Sequence, residues 1–130
     1  MIEQARRWLI ERTLIERLFA WCAELKRRGA EEGLPWSSVS EEDFWAFVVS
    51  RPGLREPGVV LTDQGNLRAI WHNAAGEQVA LEFRGFGDVL FVLFARRPSA
   101  SRMARAVGTG ELSRIAGKIA ADGLTELVYG

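Results

Sequence analysis

Apolar and polar positions alternate most regularly between Val59 and Arg97, and this stretch sets the expectations for the rest of the chain. Side chains two apart in a strand share a face, so Leu67, Ala69 and Trp71 point one way while Val79, Leu81 and Phe83 form a second apolar row. The intervening Ala74-Ala75-Gly76 fits a three-residue bulged turn, with Gly76 at its left-handed position and Asn73 paired with Glu77. That loop sets Trp71 against Val79, Ala69 against Leu81 and Leu67 against Phe83, so the apolar rows coincide. A loop one residue shorter or longer would oppose apolar to charged positions, which a half-buried sheet resists. The opposite face then pairs Arg68 with Glu82, Ile70 with Ala80 and His72 with Gln78. Opposed charges on paired strands contribute only about 0.2–1 kcal/mol, so Arg68–Glu82 is read as a surface pair.

Gly85-Phe86-Gly87-Asp88 marks a further turn, and Asp88 to Ala95 is apolar on both faces, the signature of a central strand covered on both sides. Val59-Val60-Leu61, followed by the turn-forming Thr62-Asp63-Gln64-Gly65-Asn66, predicts an edge strand ahead of Leu67. Arg102 to Val107 offers a fifth.

The flanking segments carry helical periodicity. From about Glu3 to Arg28 there is neither Gly nor Pro. Trp8, Ile15 and Cys22 recur at heptad spacing, with Leu14, Leu18, Trp21 and Leu25 widening the stripe. Glu3–Arg7 and Glu24–Arg28 are favourable i,i+4 pairs, and Gly29 reads as the stop. Such a helix would reach about 38 Å, more than a small sheet can cover, and Leu9 and Ile10 lie outside its stripe. It must bend around the sheet or offer part of itself to another chain. A second helix is predicted from Ser40, as N-cap ahead of Glu41, Glu42 and Asp43, to about Ser50, where Pro52-Gly53 ends it. A last helix, capped by Thr109 and stopped by Gly123, places Leu112, Ile115, Ala116, Ile119 and Ala120 on one face. Leu124, Leu127, Val128 and Tyr129 tie the tail back to the core. The expected architecture is α+β: two N-terminal helices, an antiparallel meander of four to five strands, and a C-terminal helix, in one domain over 1–130. The helices pack on one sheet face and leave the other at least partly exposed.

Composition narrows the chemistry. The 130 residues are 48% hydrophobic and 26% charged with no formal net charge, which disfavours a general polyanion binder. A lone cysteine excludes an internal disulfide framework. No apolar run approaches the roughly 18 residues of a membrane span, and the N-terminus lacks a signal-peptide pattern, so a cytoplasmic protein is expected.

Candidate chemistry is sparse. His72 is the single imidazole, so a two-histidine metal site is excluded. A general base there would need Glu77 or Glu82 to orient the ring, and Cys22, its only potential thiol partner, sits in the helical core stripe. The acids at 41–43 are what any helix N-terminus prefers. Gly108-Thr109-Gly110 ahead of a helix resembles a phosphate cradle but lacks the lysine of a P-loop. Neither cofactor nor metal is expected. Arg96, Arg97, Arg102 and Arg105 form a locally basic stretch that, with Arg68 and Arg84, would make a groove for RNA phosphates. Five tryptophans are many for this length, and Trp36, in a proline-containing loop, is the one expected to be exposed.

By elimination the sequence points to a non-catalytic protein-binding module of bacterial type: an adaptor or inhibitor, antitoxin- or immunity-like. Its partner would be another protein or a second copy, engaged through Trp8, Leu9, Ile10 and Trp36. The alternative is a small-molecule enzyme or binding protein using the polar sheet face of Arg68, His72, Glu82 and Arg84. Weak RNA binding through Arg96 to Arg105 ranks third.

Overall fold

A computed structural model describes residues 2–96 and 102–130. Helix α1 (Ile2–Glu31) and helix α2 (Ser38–Val49) precede five strands: β1 (Gly58–Leu61), β2 (Leu67–His72), β3 (Gln78–Gly85), β4 (Asp88–Arg96) and β5 (Met103–Glu111). The strands form one antiparallel meander in the order β1-β2-β3-β4-β5. A 3₁₀ turn at Leu112–Arg114 leads into two short helices, α3 (Ile115–Ala121) and α4 (Thr125–Val128). The fold is α+β, as the hydrophobic pattern required.

The β2–β3 register is the expected one: Trp71 opposes Val79, Ala69 opposes Leu81 and Leu67 opposes Phe83. Gly76 takes a φ of 85°, and the amide of Asn73 donates to the carbonyl of Glu77 at 3.2 Å. All six apolar side chains are buried. Phe44 and Phe47 of α2 pack on Phe83 with ring centroids 5.7 Å apart, and Phe47 also meets Trp71. Ile115, Ile119, Leu124 and Val128 close the core from the C-terminal side.

Four local expectations are corrected. The N-cap of α2 is Ser37, whose extended backbone lets its hydroxyl accept the Ser40 amide at 3.2 Å. Ser40 itself is buried, and its hydroxyl accepts the Leu67 amide at 2.9 Å, tying α2 to the start of β2. Gly29 does not stop α1. It lies inside the helix, where a Cβ would sit 2.6 Å from the Leu61 side chain, so its lack of one lets the helix approach β1. Thr109 is no helix cap, because Gly108-Thr109-Gly110 runs within β5, paired with Phe91, Leu90 and Val89. The ring of Phe91 covers that segment: a Cβ on Gly108 would fall 3.0 Å from its Cζ. Lastly, β4 is buried on one face only, and Leu90, Val92 and Phe94 on the other stay partly exposed.

Helix α1 spans 30 residues, about 45 Å. Its buried positions are Leu14, Leu18, Cys22 and Gly29, so contact with the core begins halfway along it. Trp8 and Ile15, expected in the core stripe, are 58% and 38% exposed. Of the two anticipated helical ion pairs, Glu24–Arg28 forms at 2.8 Å. Arg27 and Arg28 together hold the Glu24 carboxyl down to about 2 by hydrogen bonding. Glu3 and Arg7 instead flank a groove near the other end.

Candidate functional site

The sheet face turned away from the helices carries the residues expected to form a polar site, and each is held by a local partner. Arg68 Nη2 lies 2.7 Å from Glu82 Oε1, and Asn66 Nδ2 donates to Glu82 Oε2 at 3.1 Å. Glu82 is 7% exposed, so this pair is not the loose surface contact its position suggested. Arg84 Nε meets Asp88 Oδ2 at 2.8 Å across the β3–β4 turn. His72 is exposed at the far end of β2, opposite Gln78 and four rungs from the Arg68–Glu82 pair. The four residues Arg68, His72, Glu82 and Arg84 therefore do not converge.

His72 does line a cleft of about 490 Å³, but in other company. β1 begins at Gly58, opposite Ile70, so the outer edge of Trp71–His72 has no strand beside it and faces Arg55 and Glu56 instead. Trp71 Nε1 donates to the Arg55 carbonyl at 2.8 Å, the Arg55 amide donates to Val128 O at 2.7 Å, and Arg55 Nε donates to Glu126 O at 2.8 Å. These bonds draw the segment after α2 and the α4 region together as one wall. Leu124 and Leu127 supply apolar lining, with Glu56, Asn73, Glu77 and Glu126 as polar lining. Two of those acids are engaged: Glu56 with Arg17 Nε at 2.8 Å, and Glu77 with Asn73 Nδ2 at 3.1 Å and the Arg96 amide at 3.2 Å. The cleft is large enough for a small polar molecule, and the Glu56 and Glu77 carboxylates are spent on the scaffold. Arg55 and Glu126 carried no sequence signal, because they meet only through the C-terminal turn.

Other candidates have structural employment. Cys22 is buried in the core among helix-facing side chains, whereas His72 stands on the opposite side of the sheet, so the two do not form a dyad. Burial, with a smaller contribution from Glu41, pushes the Cys22 thiol up to about 12. Glu41 accepts the indole N–H groups of Trp36 and Trp45 at 3.2 and 3.3 Å. Asp43 accepts the Gly87 amide at 2.8 Å, pinning the β3–β4 turn to α2. Among the described residues no cluster of three His, Cys, Asp or Glu side chains could hold a metal ion. No described helix is long and apolar enough to cross a membrane.

Arg68, Arg84, Arg96 and Arg105 of the anticipated groove each have a separate local contact. Arg96 Nη2 donates to the Ala75 carbonyl at 2.9 Å and so braces the β2–β3 turn. The Arg105 guanidinium lies 5.9 Å from the Phe94 ring centroid, and Arg102 is exposed. Arg97 falls outside the described residues. Arg68 and Arg84 are engaged with acids as above.

Of the four expected interface residues, three are open to solvent: Trp8 at 58%, Leu9 at 55% and Ile10 at 62%. Trp36 is not. It is half-buried against the core, bonded to Glu41, with Lys26 Nζ 5.6 Å from its ring centroid. Further along α1, Phe19 is also open, 66% exposed and 6.3 Å from the Trp45 ring, and the sequence did not single it out. Compared with protein-family models, with curated proteins and with solved structures, the chain matches none.

Proposed function

We propose that this chain is a protein-binding module and that the N-terminal half of α1 is its contact surface. The observation that supports this reading is the run of exposed apolar side chains, Ile2, Trp8, Leu9 and Ile10, on a helix that reaches its first buried residue only at Leu14. A dozen helical residues with so little burial are marginal in water by themselves. Covering a side chain of this size contributes about 1.5–3 kcal/mol, so a partner that shelters Trp8, Leu9 and Ile10 gains affinity and firms the helix together. Beside them a groove of about 410 Å³ runs between α1 and the Gly53–Arg55 segment, with Ile10, Leu14 and Leu54 in its lining. One Glu11 carboxylate oxygen in that lining is shielded from water without a hydrogen-bond partner. An incoming apolar segment that carries a donor would satisfy it. An adaptor or inhibitor of the antitoxin or immunity type would use such a surface.

The test is a photo-crosslinking amino acid at Leu9, compared with one at the exposed Arg114, in the cells that make the protein. A discrete adduct at position 9, lost when Trp8→Asp and Ile10→Asp are combined in a chain that keeps its helical signal and melting temperature, is the expected result. Equal labelling from both positions, or none from Leu9, would reject the reading. The His72 cleft favours a second reading, a small polar ligand held between Arg55 and His72. Its test is a nuclear magnetic resonance screen of polar metabolites that follows the His72 ring protons, where unmoved signals would dismiss it.

A further inference from the structure

The two edges of the sheet are treated differently. β1 is four residues long, and Trp21 Nε1 of α1 donates to its Val59 carbonyl at 2.7 Å, so that edge is short and covered. β5 is nine residues long, contains no proline and pairs with β4 in an unbroken register, and among the described residues no strand lies beyond it. A long, straight, uncovered edge is what soluble proteins ordinarily avoid, since it presents a row of unpaired amides and carbonyls.

Which β5 residues present them follows from the ladder. In an antiparallel pair, successive residues direct their N–H and C=O alternately toward one neighbour and the other. The Leu112 amide donates to the Gly87 carbonyl at 2.7 Å, which fixes the alternation. Gly110, Gly108, Ala106 and Ala104 direct their backbone groups toward β4. Met103, Arg105, Val107, Thr109 and Glu111 direct theirs outward, and among the described residues nothing accepts them. Arg105, Val107, Thr109 and Glu111 are also solvent-exposed, with Val107 at 52%.

We infer that this edge pairs with the same edge of a second copy, antiparallel about a two-fold axis at Gly108, to make one continuous sheet. The charges select this register. With Gly108 opposite its symmetry mate, Arg105 of one copy faces Glu111 of the other, Val107 faces Thr109, and symmetry repeats both pairs. All four positions have outward backbone groups, so each pair is of the kind that exchanges both hydrogen bonds. Moving the axis by one residue to either side sets Arg105 against Thr109 or Ser113 and loses the ion pair. On the helix side the strand carries only Ala104, Ala106, Gly108 and Gly110, so the strand itself places no bulky side chain in the approach. An isologous contact of this kind closes on itself, so the product is a dimer. It leaves the projecting part of α1 free for the partner proposed above.

The experiment is sedimentation velocity of the purified chain over a concentration series, with Val107→Pro, Arg105→Glu and the Arg105→Glu/Glu111→Arg double variant. Proline at 107 removes an outward amide and no bond to β4, a placement that edge strands tolerate. The wild type is expected to sediment as a dimer and Val107→Pro as a monomer. Arg105→Glu places like charges opposite each other twice per dimer and weakens association by about tenfold, while the double swap restores it. The swap result stands even if the proline variant fails to fold. A monomeric wild type overturns the inference. So does a dimer indifferent to both β5 changes, or one dissolved by Trp8→Asp and Ile10→Asp instead. No crosslink from Leu9 in the wild-type chain, with the β5 dimer intact, would count against the partner reading alone.

Discussion

Gly108→Ala should destabilise this protein, and the same change should stabilise it once Phe91 is made smaller. A Cβ at position 108 would lie 3.0 Å from Phe91 Cζ, inside the roughly 3.5–4.0 Å at which carbon atoms attract. Phe91 is 8% exposed, with β5 beneath its ring and Lys118 Nζ 5.8 Å from the ring centroid, so it has little room to withdraw. Overpacking of this kind costs about 1–3 kcal/mol. Against it stands the backbone freedom that glycine loses on entering a strand, about 0.5–1 kcal/mol relative to alanine. The net expectation is a loss of up to about 2.5 kcal/mol. In a Phe91→Leu background the methyl enters space the ring has left, the clash disappears, and the alanine gains about 0.5–1 kcal/mol. Urea unfolding of the four proteins in the cycle measures the coupling, expected at about 1–3 kcal/mol for residues in contact. Additive effects, or a stabilising Gly108→Ala in the wild-type background, would show that Phe91 is not why glycine occupies this position.

Three further outcomes follow from the same contacts. The folded chain keeps the Cys22 proton up to about 12, whereas an unfolded thiol releases it near 9.0, so stability falls as pH rises through that window. Between pH 8 and 10.5 the wild type should lose about 2 kcal/mol more than Cys22→Ala in paired urea titrations, and parallel curves would refute it. Trp21→Phe removes the bond to the Val59 carbonyl and should cost about 1 kcal/mol, with faster amide hydrogen exchange in β1. Trp8→Ser combined with Ile10→Ser should change thermal stability by less than about 0.5 kcal/mol, since both side chains are largely exposed; a melting point lowered by many degrees would mean they support the fold.

The sheet was legible where two constraints had to agree. Between Leu67 and Phe83 the alternation of apolar residues and the length of the Ala74–Gly76 loop each restrict the register, and only one pairing satisfies both. β4 offered one constraint. Its uninterrupted apolar run permitted cover on both faces, but Leu90, Val92 and Phe94 are sheltered on one side only by neighbours in the sheet, Arg105 lying near Phe94. Long charged side chains can shade apolar surface with their stems, and periodicity does not register that.

Glycines misled for a related reason. Gly29 and Gly108 read as punctuation, a helix stop and part of a phosphate loop, yet each marks a place where another element comes close: Leu61 in one case and Phe91 in the other. Both approaches are long-range, so neither neighbour in the chain could have announced them. The heptad of Trp8, Ile15 and Cys22 failed similarly, because it shares Cys22 with the true stripe of Leu14, Leu18 and Cys22 and diverges from it toward the N-terminus. A pattern can say which face of α1 is apolar, but where the core ends along that face depends on how far the sheet extends beneath it. That boundary, near Leu14, separates the residues that hold the fold from Leu9 and Ile10, and from Trp8, which the heptad would have placed inside. Surplus hydrophobicity beyond the reach of the core is therefore the most direct physical reason to look for a second molecule there.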